Sequence, residues 1–387
     1  MRELNFTTLL LRYGEISLKS DKVRRRFEKQ LADNIKYVLD KEKIAYKLER
    51  LPLQGRFFIH TDKIEETAKI LSDVFGIVSI SPVKITSSEL SVIIDEGLNF
   101  ADVLIKKNNS FAIRVRRSGQ HEYTSQDVAN EVGAFINKKF TKRNIKVDLN
   151  NPDVTIFIEI RGKWAYIFKD IITGLSGFPY NSQDNLVSLF FGDFNSFIST
   201  WLMLRKGCRV IPIFFNFSMF ANQNLLNQII EIAQNLKKYT NSDKFHIYEI
   251  PDCRKLIESD KSLKNVNKFQ INLQLMFLVA ERIAILENAR GIVTYHTFSD
   301  IFSLKNLNTI ENLVKSPIFR PLLGKNLDNI NELMDKFENI PFINKKDLFL
   351  NLNENKKMKF QDLNQLEINS IQDIVEKLIK NAKKIEL

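Results

Sequence analysis

Leu186-Val187-Ser188-Leu189-Phe190-Phe191-Gly192-Asp193-Phe194-Asn195-Ser196 is the stretch on which the fold of the C-terminal half turns. The apolar run Leu186 to Phe191 reads as a buried strand, and Ser196 to Lys206 reads as a helix. The alternation continues with strand Val210 to Phe215, helix Asn222 to Tyr239, strand Phe245 to Ile250, helix Asn272 to Asn288 and strand Gly291 to Thr294. Strands alternating with helices predict a parallel sheet.

The loop between that first strand and its helix is where a parallel α/β fold holds phosphate, on backbone N–H groups and the helix dipole. Such a loop needs small, uncharged residues. Gly192 and Ser196 qualify, whereas Phe191 and Phe194 are bulky and Asp193 carries a negative charge. Two like charges ~4 Å apart repel by ~1 kcal/mol in water and by ~4 kcal/mol at an effective dielectric of 20. The loop has the position of a phosphate site and poor chemistry for one.

Upstream, a Gly-containing hinge at Gly174 to Pro179 precedes this unit. Residues 1–85 read as strand Phe6 to Leu11, helix Asp21 to Asp40, strand Arg56 to His60, helix Ile64 to Phe75 stopped by Gly76, and strand Ile77 to Ile85. Phe27, Leu31, Ile35 and Val38 give the first helix one apolar stripe. This order suits the split βαβ plan of a ferredoxin-like domain. Residues 86–172 hold helix Leu98 to Lys106, strand Phe111 to Arg117, helix Gln126 to Phe140 capped by Ser125, and a hairpin of Val154 to Ile160 with Trp164 to Asp170. Phe111, Ile113 and Val115 should face one way, with Ala112, Arg114 and Arg116 facing the other. Beyond about Asn326 the chain is rich in Lys and Asn, with helices expected near Leu327 to Phe337 and Ile368 to Ala382.

The 387 residues are 44% hydrophobic and 27% charged, with 13 Gly and 9 Pro, which excludes collagen-like and disordered classes. The net charge of +11 suits an anionic partner, nucleic acid first. Arg114, Arg116 and Arg117, with Lys138, Lys139, Lys142, Arg143 and Lys146, form the best candidate RNA-contacting set, because guanidinium and ammonium groups bind phosphate and release its counterions. No stretch approaches ~18 consecutive apolar residues, so no membrane partner is expected. The N-terminus lacks a signal-peptide pattern, so the cytoplasm is the expected location. Cys208 and Cys253 are too few for a disulfide framework, and His60, His121, His246 and His296 show no metal-ligand spacing, so no metal site is expected.

Arg12-Tyr13-Gly14-Glu15-Ile16-Ser17-Leu18-Lys19, followed by Arg26-Phe27-Glu28, resembles the N-terminal signature of the tRNA 4-thiouridine synthetases. Phe111 to Arg117, Ser125, Gly133, Val147-Asp148-Leu149 and Asn151-Pro152-Asp153 are similar to that family's THUMP domain. Gly177-Phe178-Pro179, Trp201 to Gly207 and Ile318 to Gly324 are similar to segments of its PP-loop domain. The resemblance implies a ferredoxin-like domain, a THUMP domain that docks on the tRNA acceptor end, and a Rossmann-like parallel α/β PP-loop domain over residues 173–387. For active members it also implies ATP and Mg²⁺ as cofactors, and a cysteine desulfurase as persulfide donor. A homodimer is compatible with it.

The departures from that pattern fall on the chemistry. The family's Ser-Gly-Gly-x-Asp-Ser loop stands here as Phe191, Gly192, Asp193, Phe194, Asn195 and Ser196. Its His-Phe pair is Phe214-Phe215, its Thr-Gly-Glu-Ser run is Thr294-Tyr295-His296-Thr297, and a later Gln is Leu304. The stretch that carries its sulfur-bearing Cys reads Pro341-Phe342-Ile343-Asn344-Lys345-Lys346. The expectation is a tRNA-binding protein with a degenerate nucleotide loop, no catalytic residue in place, and thiolation lost or strongly impaired. The alternative is an active ATP-dependent sulfurtransferase fed by an external persulfide donor.

Overall fold

The computed structural model describes residues 4–51, 55–216, 223–296, 304–325, 327–344 and 360–387. Asn222, Thr297, Asn326, Lys345 and Lys346 lie outside the described residues, as does the side chain of Leu304. The chain divides into one unit over residues 1–177 and a second over residues 178–387.

The first unit opens with β1 (Thr8–Arg12), α1 (Asp21–Lys41), β2 (Lys47–Leu51), β3 (Arg56–His60), α2 (Ile64–Ser72) and β4 (Ser79–Pro82). β1 lies between β4 and β3, and β2 follows β3, all antiparallel. This is the ferredoxin-like order. In α1 the buried stripe is Phe27, Leu31, Ile35 and Leu39; Val38 is only half-buried, so the expected stripe is corrected by one residue at its end. Tyr13 donates from its hydroxyl to the buried Glu28, and burial and that bond push its pKa up to about 12.

The single strand expected over Ile77 to Ile85 is two strands. Val83 is buried and donates its N–H to Thr8, and the chain passes there from β4 to β5 (Lys84–Ser87) of a second sheet. That sheet adds α3 (Leu90–Leu104), β6 (Ser110–Ser118), α4 (Ser125–Lys139), β7 (Lys146–Val147), β8 (Val154–Arg161) and β9 (Trp164–Phe168), in the order β5-β9-β8-β6-β7. α3 starts well before the expected Leu98. The cap of α4 is Thr124 rather than Ser125: its hydroxyl and Asp127 form a reciprocal capping box. β10 (Ile172–Thr173) returns to pair with β4.

The two faces of this sheet have different fates. Phe111, Ile113, Ile156, Ile158, Ile160 and Ile167 pack beneath Val128, Val132 and Ile136 of α4 and Ile93 of α3. On the opposite face, Phe157, Tyr166 and Phe168 pack against Leu10 and Phe58 of the first sheet. Farther along that face Arg114 and Arg116 are exposed, whereas Ala112 and Glu159 are buried.

The second unit contains β11 (Leu186–Leu189), α5 (Phe194–Arg205), β12 (Val210–Phe215), α6 (Gln223–Lys237), β13 (His246–Ile250), α7 (Arg254–Ser259), α8 (Lys268–Leu286), β14 (Ile292–Val293), α9 (Leu304–Glu311), β15 (Ile318–Phe319), α10 (Leu327–Lys336), α11 (Gln365–Lys380) and β16 (Lys383–Glu386). The sheet order is β15-β14-β11-β12-β13-β16, parallel throughout except for β16. α8 is long and apolar enough to cross a membrane by length and composition, but most of it is buried within this unit as the core helix. Successive crossovers run outward from β11 in both directions, so the strand order reverses between β11 and β14. Open parallel sheets bind their ligands outside the carboxyl ends of the strands at such a point.

Candidate functional site

The loop Phe191 to Ser196 leaves the carboxyl end of β11 at this reversal and enters α5, which is the place where a phosphate-binding loop belongs. Its internal bonding is dense. The Asp193 carboxylate caps α5 by accepting the Ser196 N–H at 3.1 Å. The Ser196 hydroxyl accepts the Phe191 N–H at 3.1 Å and donates to the Asp193 carbonyl at 3.1 Å. The protein thus supplies its own anion to the positive end of α5. Phe191, Asp193 and Ser196 are buried, and Phe194 and Asn195 are half-buried.

Two apolar elements close on the loop. Gly192 has φ +73°, and a Cβ there would meet Ile229 Cδ1 at 2.7 Å and Ile343 Cδ1 at 2.8 Å. The Gly192 carbonyl accepts the Ile343 N–H at 2.9 Å. Phe342 sits edge-on to Phe194 and Phe197 at centroid distances of 5.4 and 5.3 Å, and Phe337 to Phe197 and Trp201 at 5.1 and 5.4 Å. Residues 337–343 therefore form a strap across the loop, and they include Pro341 to Ile343, the start of the stretch where the resemblance places a sulfur-bearing Cys. Across the strand reversal, buried Tyr295 meets Phe191 edge-on at 5.0 Å and stacks with His296 at 4.6 Å.

Both thiols are buried. Burial, with Asp184 nearby, pushes Cys208 up to about 11; burial, with Asp252 nearby, pushes Cys253 up to about 12. Cys208 follows the far end of α5, roughly 18 Å along the helix from the loop. Among the described residues no group of His, Cys, Asp and Glu could hold a metal ion.

The basic residues fall into separate groups. Arg114 and Arg116 project from the face of β6 opposite α4, Arg114 donating to the Leu149 carbonyl. Lys138, Lys139, Lys142 and Lys146 are exposed at the end of α4 and on β7. Arg117 is half-buried and donates to Gly119 O at 3.0 Å. Arg143 is a brace: it donates to Asp102 O, Asp102 Oδ1 and Ile105 O at 3.1, 2.5 and 2.9 Å and lies over Phe140. The candidate set is thus a cationic strand face and a separate lysine edge, with Arg117 and Arg143 engaged in holding loops.

Sequence reasoning missed a group on the cationic face. Glu159 of β8 is 3% exposed and accepts from Arg12 Nε at 3.1 Å, Arg56 Nε at 2.8 Å and Arg161 Nε at 2.6 Å. Burial alone would raise its carboxyl; Arg56 and Arg12, helped by hydrogen bonds from Arg161, outweigh that and hold it at about 2. A lone carboxylate in the Ile- and Phe-rich run Val154 to Ile160 was the available signal, because a buried charge demands partners.

A ferredoxin-like sheet joined to a second α/β sheet, followed by a parallel unit with a phosphate-loop position, defines a multidomain α/β class of protein. Known proteins narrow the class. Residues 8–81 match the ThiI ferredoxin-like domain, residues 100–170 the THUMP domain, and residues 181–347 the family described as Thiamine biosynthesis protein (ThiI). A probable tRNA sulfurtransferase of Methanosarcina mazei is 31% identical over 338 residues, covering 86% of this chain and 83% of that protein. One from Saccharolobus islandicus is 34% identical, covering 84% of each. The fold is similar to that of a 4-thiouridine synthetase solved as an RNA complex with bound ATP, with TM-score 0.77, 22% identity and 98% and 99% coverage of this chain and that one. A Pyrococcus horikoshii crystal structure gives TM-score 0.65 at 25% identity over 86% of this chain and 99% of that one. The chain belongs to the tRNA sulfurtransferase family.

Proposed function

We propose that this protein binds tRNA through its THUMP-containing unit and has lost, or nearly lost, ATP-dependent uridine thiolation. The THUMP match, the family's named substrate and the exposed Arg114–Arg116 face support RNA binding. One observation carries the loss: the Asp193 carboxylate occupies the N-terminus of α5 while Ile343 and Ile229 fill the space beside Gly192.

A nucleoside triphosphate held on a strand-to-helix loop would need that space and that helix end. A triphosphate arriving there meets a fixed negative charge, at ~4 kcal/mol per charge pair ~4 Å apart in a medium of effective dielectric 20. It must also displace an apolar strap. The loop residues do not fit ATP and Mg²⁺. Sulfur delivery is weakened as well, because buried thiols with raised pKa values are poor nucleophiles.

The test combines purified protein, tRNA, ATP/Mg²⁺ and a cysteine desulfurase charged as persulfide donor. The expected outcome is salt-sensitive tRNA binding and no 4-thiouridine in the digested tRNA. Protein-dependent 4-thiouridine would overturn the loss of activity and restore the enzyme reading.

A further inference from the structure

We infer that the arginine cluster on Glu159 is a preassembled receptor for an RNA backbone phosphate, with Glu159 as its positioning residue. The inference rests on the RNA-binding reading. It deepens that reading by naming the site and the group bound.

The cluster is unbalanced in charge. Three guanidinium groups share one carboxylate, and exposed Arg116 stands directly opposite Glu159 on the neighbouring strand. Side chains from the first sheet (Arg12, Arg56) and the second (Arg116, Arg161) therefore converge on a corner with four cations and one anion. Burial lowers the pKa of Arg12 and of Arg56, and their mutual repulsion adds to that effect for Arg12. A cluster serving stability alone would match its charges, since burying unmatched charge is costly.

The geometry of donation is the second observation. All three arginines contact Glu159 through Nε, and among the described residues no Nη group is spent on that carboxylate. Arg12 Nη1 donates to Ser81 and Arg56 Nη1 to Gly55, so the comb is braced at two further points. Arg12 Nη2 is buried without a hydrogen-bond partner among the described residues. The bond to Glu159 is the one side-chain hydrogen bond Arg161 makes among the described residues, so its fork stays available. A forked, pre-oriented guanidinium set suits a phosphate, which accepts bidentate bonds from Arg. Fixing these long side chains beforehand removes most of the ordering entropy that binding would otherwise incur.

The experiment measures the affinity of an unmodified tRNA transcript against salt concentration by fluorescence anisotropy, for the full chain and for Arg161→Gln, Arg116→Gln, Lys142→Gln and Glu159→Gln. Arg161→Gln and Arg116→Gln should each weaken binding about tenfold and lower the salt slope by about 1, whereas Lys142→Gln serves as the comparison on the lysine edge. Glu159→Gln discriminates by sign. Removing a negative charge would tighten RNA binding if charge alone mattered; a positioning role predicts weaker binding despite the added net charge. Should Glu159→Gln fail to fold by circular dichroism, the two arginine variants decide. Unchanged affinity and slope in both would overturn the receptor while leaving tRNA binding intact. Absence of tRNA binding by the unaltered chain would remove the RNA reading and this inference together. Equal competition by inorganic phosphate at low millimolar concentration would mark the corner as a free-anion site and overturn the RNA assignment.

Discussion

Glu159→Gln also tests how the first unit is held together, through stability rather than binding. The carboxyl stands at about 2 against a usual 4.5, and its side chain is 4% exposed. At 1.36 kcal/mol per pKa unit, that difference stabilises the folded state by about 3 kcal/mol at neutral pH. Because the folded pKa is the lower one, the contribution is complete above about pH 4.5 and is lost as pH falls through about 2. The amide substitution removes it at every pH and strands three guanidinium groups, at a cost of about 3–5 kcal/mol at pH 7. Urea unfolding of the two proteins from pH 7 to pH 2.5 at constant ionic strength measures the gap. A Trp201→Phe background leaves Trp164 on β9 as the fluorescence reporter of the first unit. The gap should close by about 2.5 kcal/mol between pH 7 and pH 2.5. A gap that stays constant down to pH 2.5, or a neutral-pH difference under 1 kcal/mol, would refute the reasoning.

Three further outcomes follow from the second unit. Gly192→Ala should destabilise it by about 2–4 kcal/mol in urea melts, through strain at φ +73° and overlap with Ile229 and Ile343. Phe337→Ala should cost about 3–5 kcal/mol and shift Trp201 fluorescence, because that ring contacts Phe197, Trp201 and Tyr239. Cys208 and Cys253 should react with a thiol reagent at pH 8 only in denaturant, since burial holds both thiols protonated; fast labelling of the native protein would contradict their assigned inertness.

Much of the fold was legible because its signals are local. The strand–helix alternation from Leu186 onward identified the parallel sheet, and the α1 stripe showed its buried face. Boundaries moved where tertiary contacts override local preference: at Val83 the chain changes sheets, and Pro82 just before it is the local mark that the single-strand reading passed over. The composition of the loop at Asp193 announced a carboxylate at a helix start, but not the strap, since Gly192 and Ile343 are paired across 151 residues of chain. The Glu159 cluster was hidden for the same reason: Arg12 and Arg56 reach it from more than a hundred residues away. Arg143 looked like a phosphate ligand from its basic neighbours, and only the carbonyls of Asp102 and Ile105 show that it is engaged elsewhere.

Calorimetric titration of ATP with Mg²⁺ into the full chain bears most directly on the nucleotide loop. The capped and strapped helix end predicts no saturable heat and no thermal stabilisation up to millimolar ATP. Stoichiometric binding, with the rise in melting temperature that mass action requires, would contradict it.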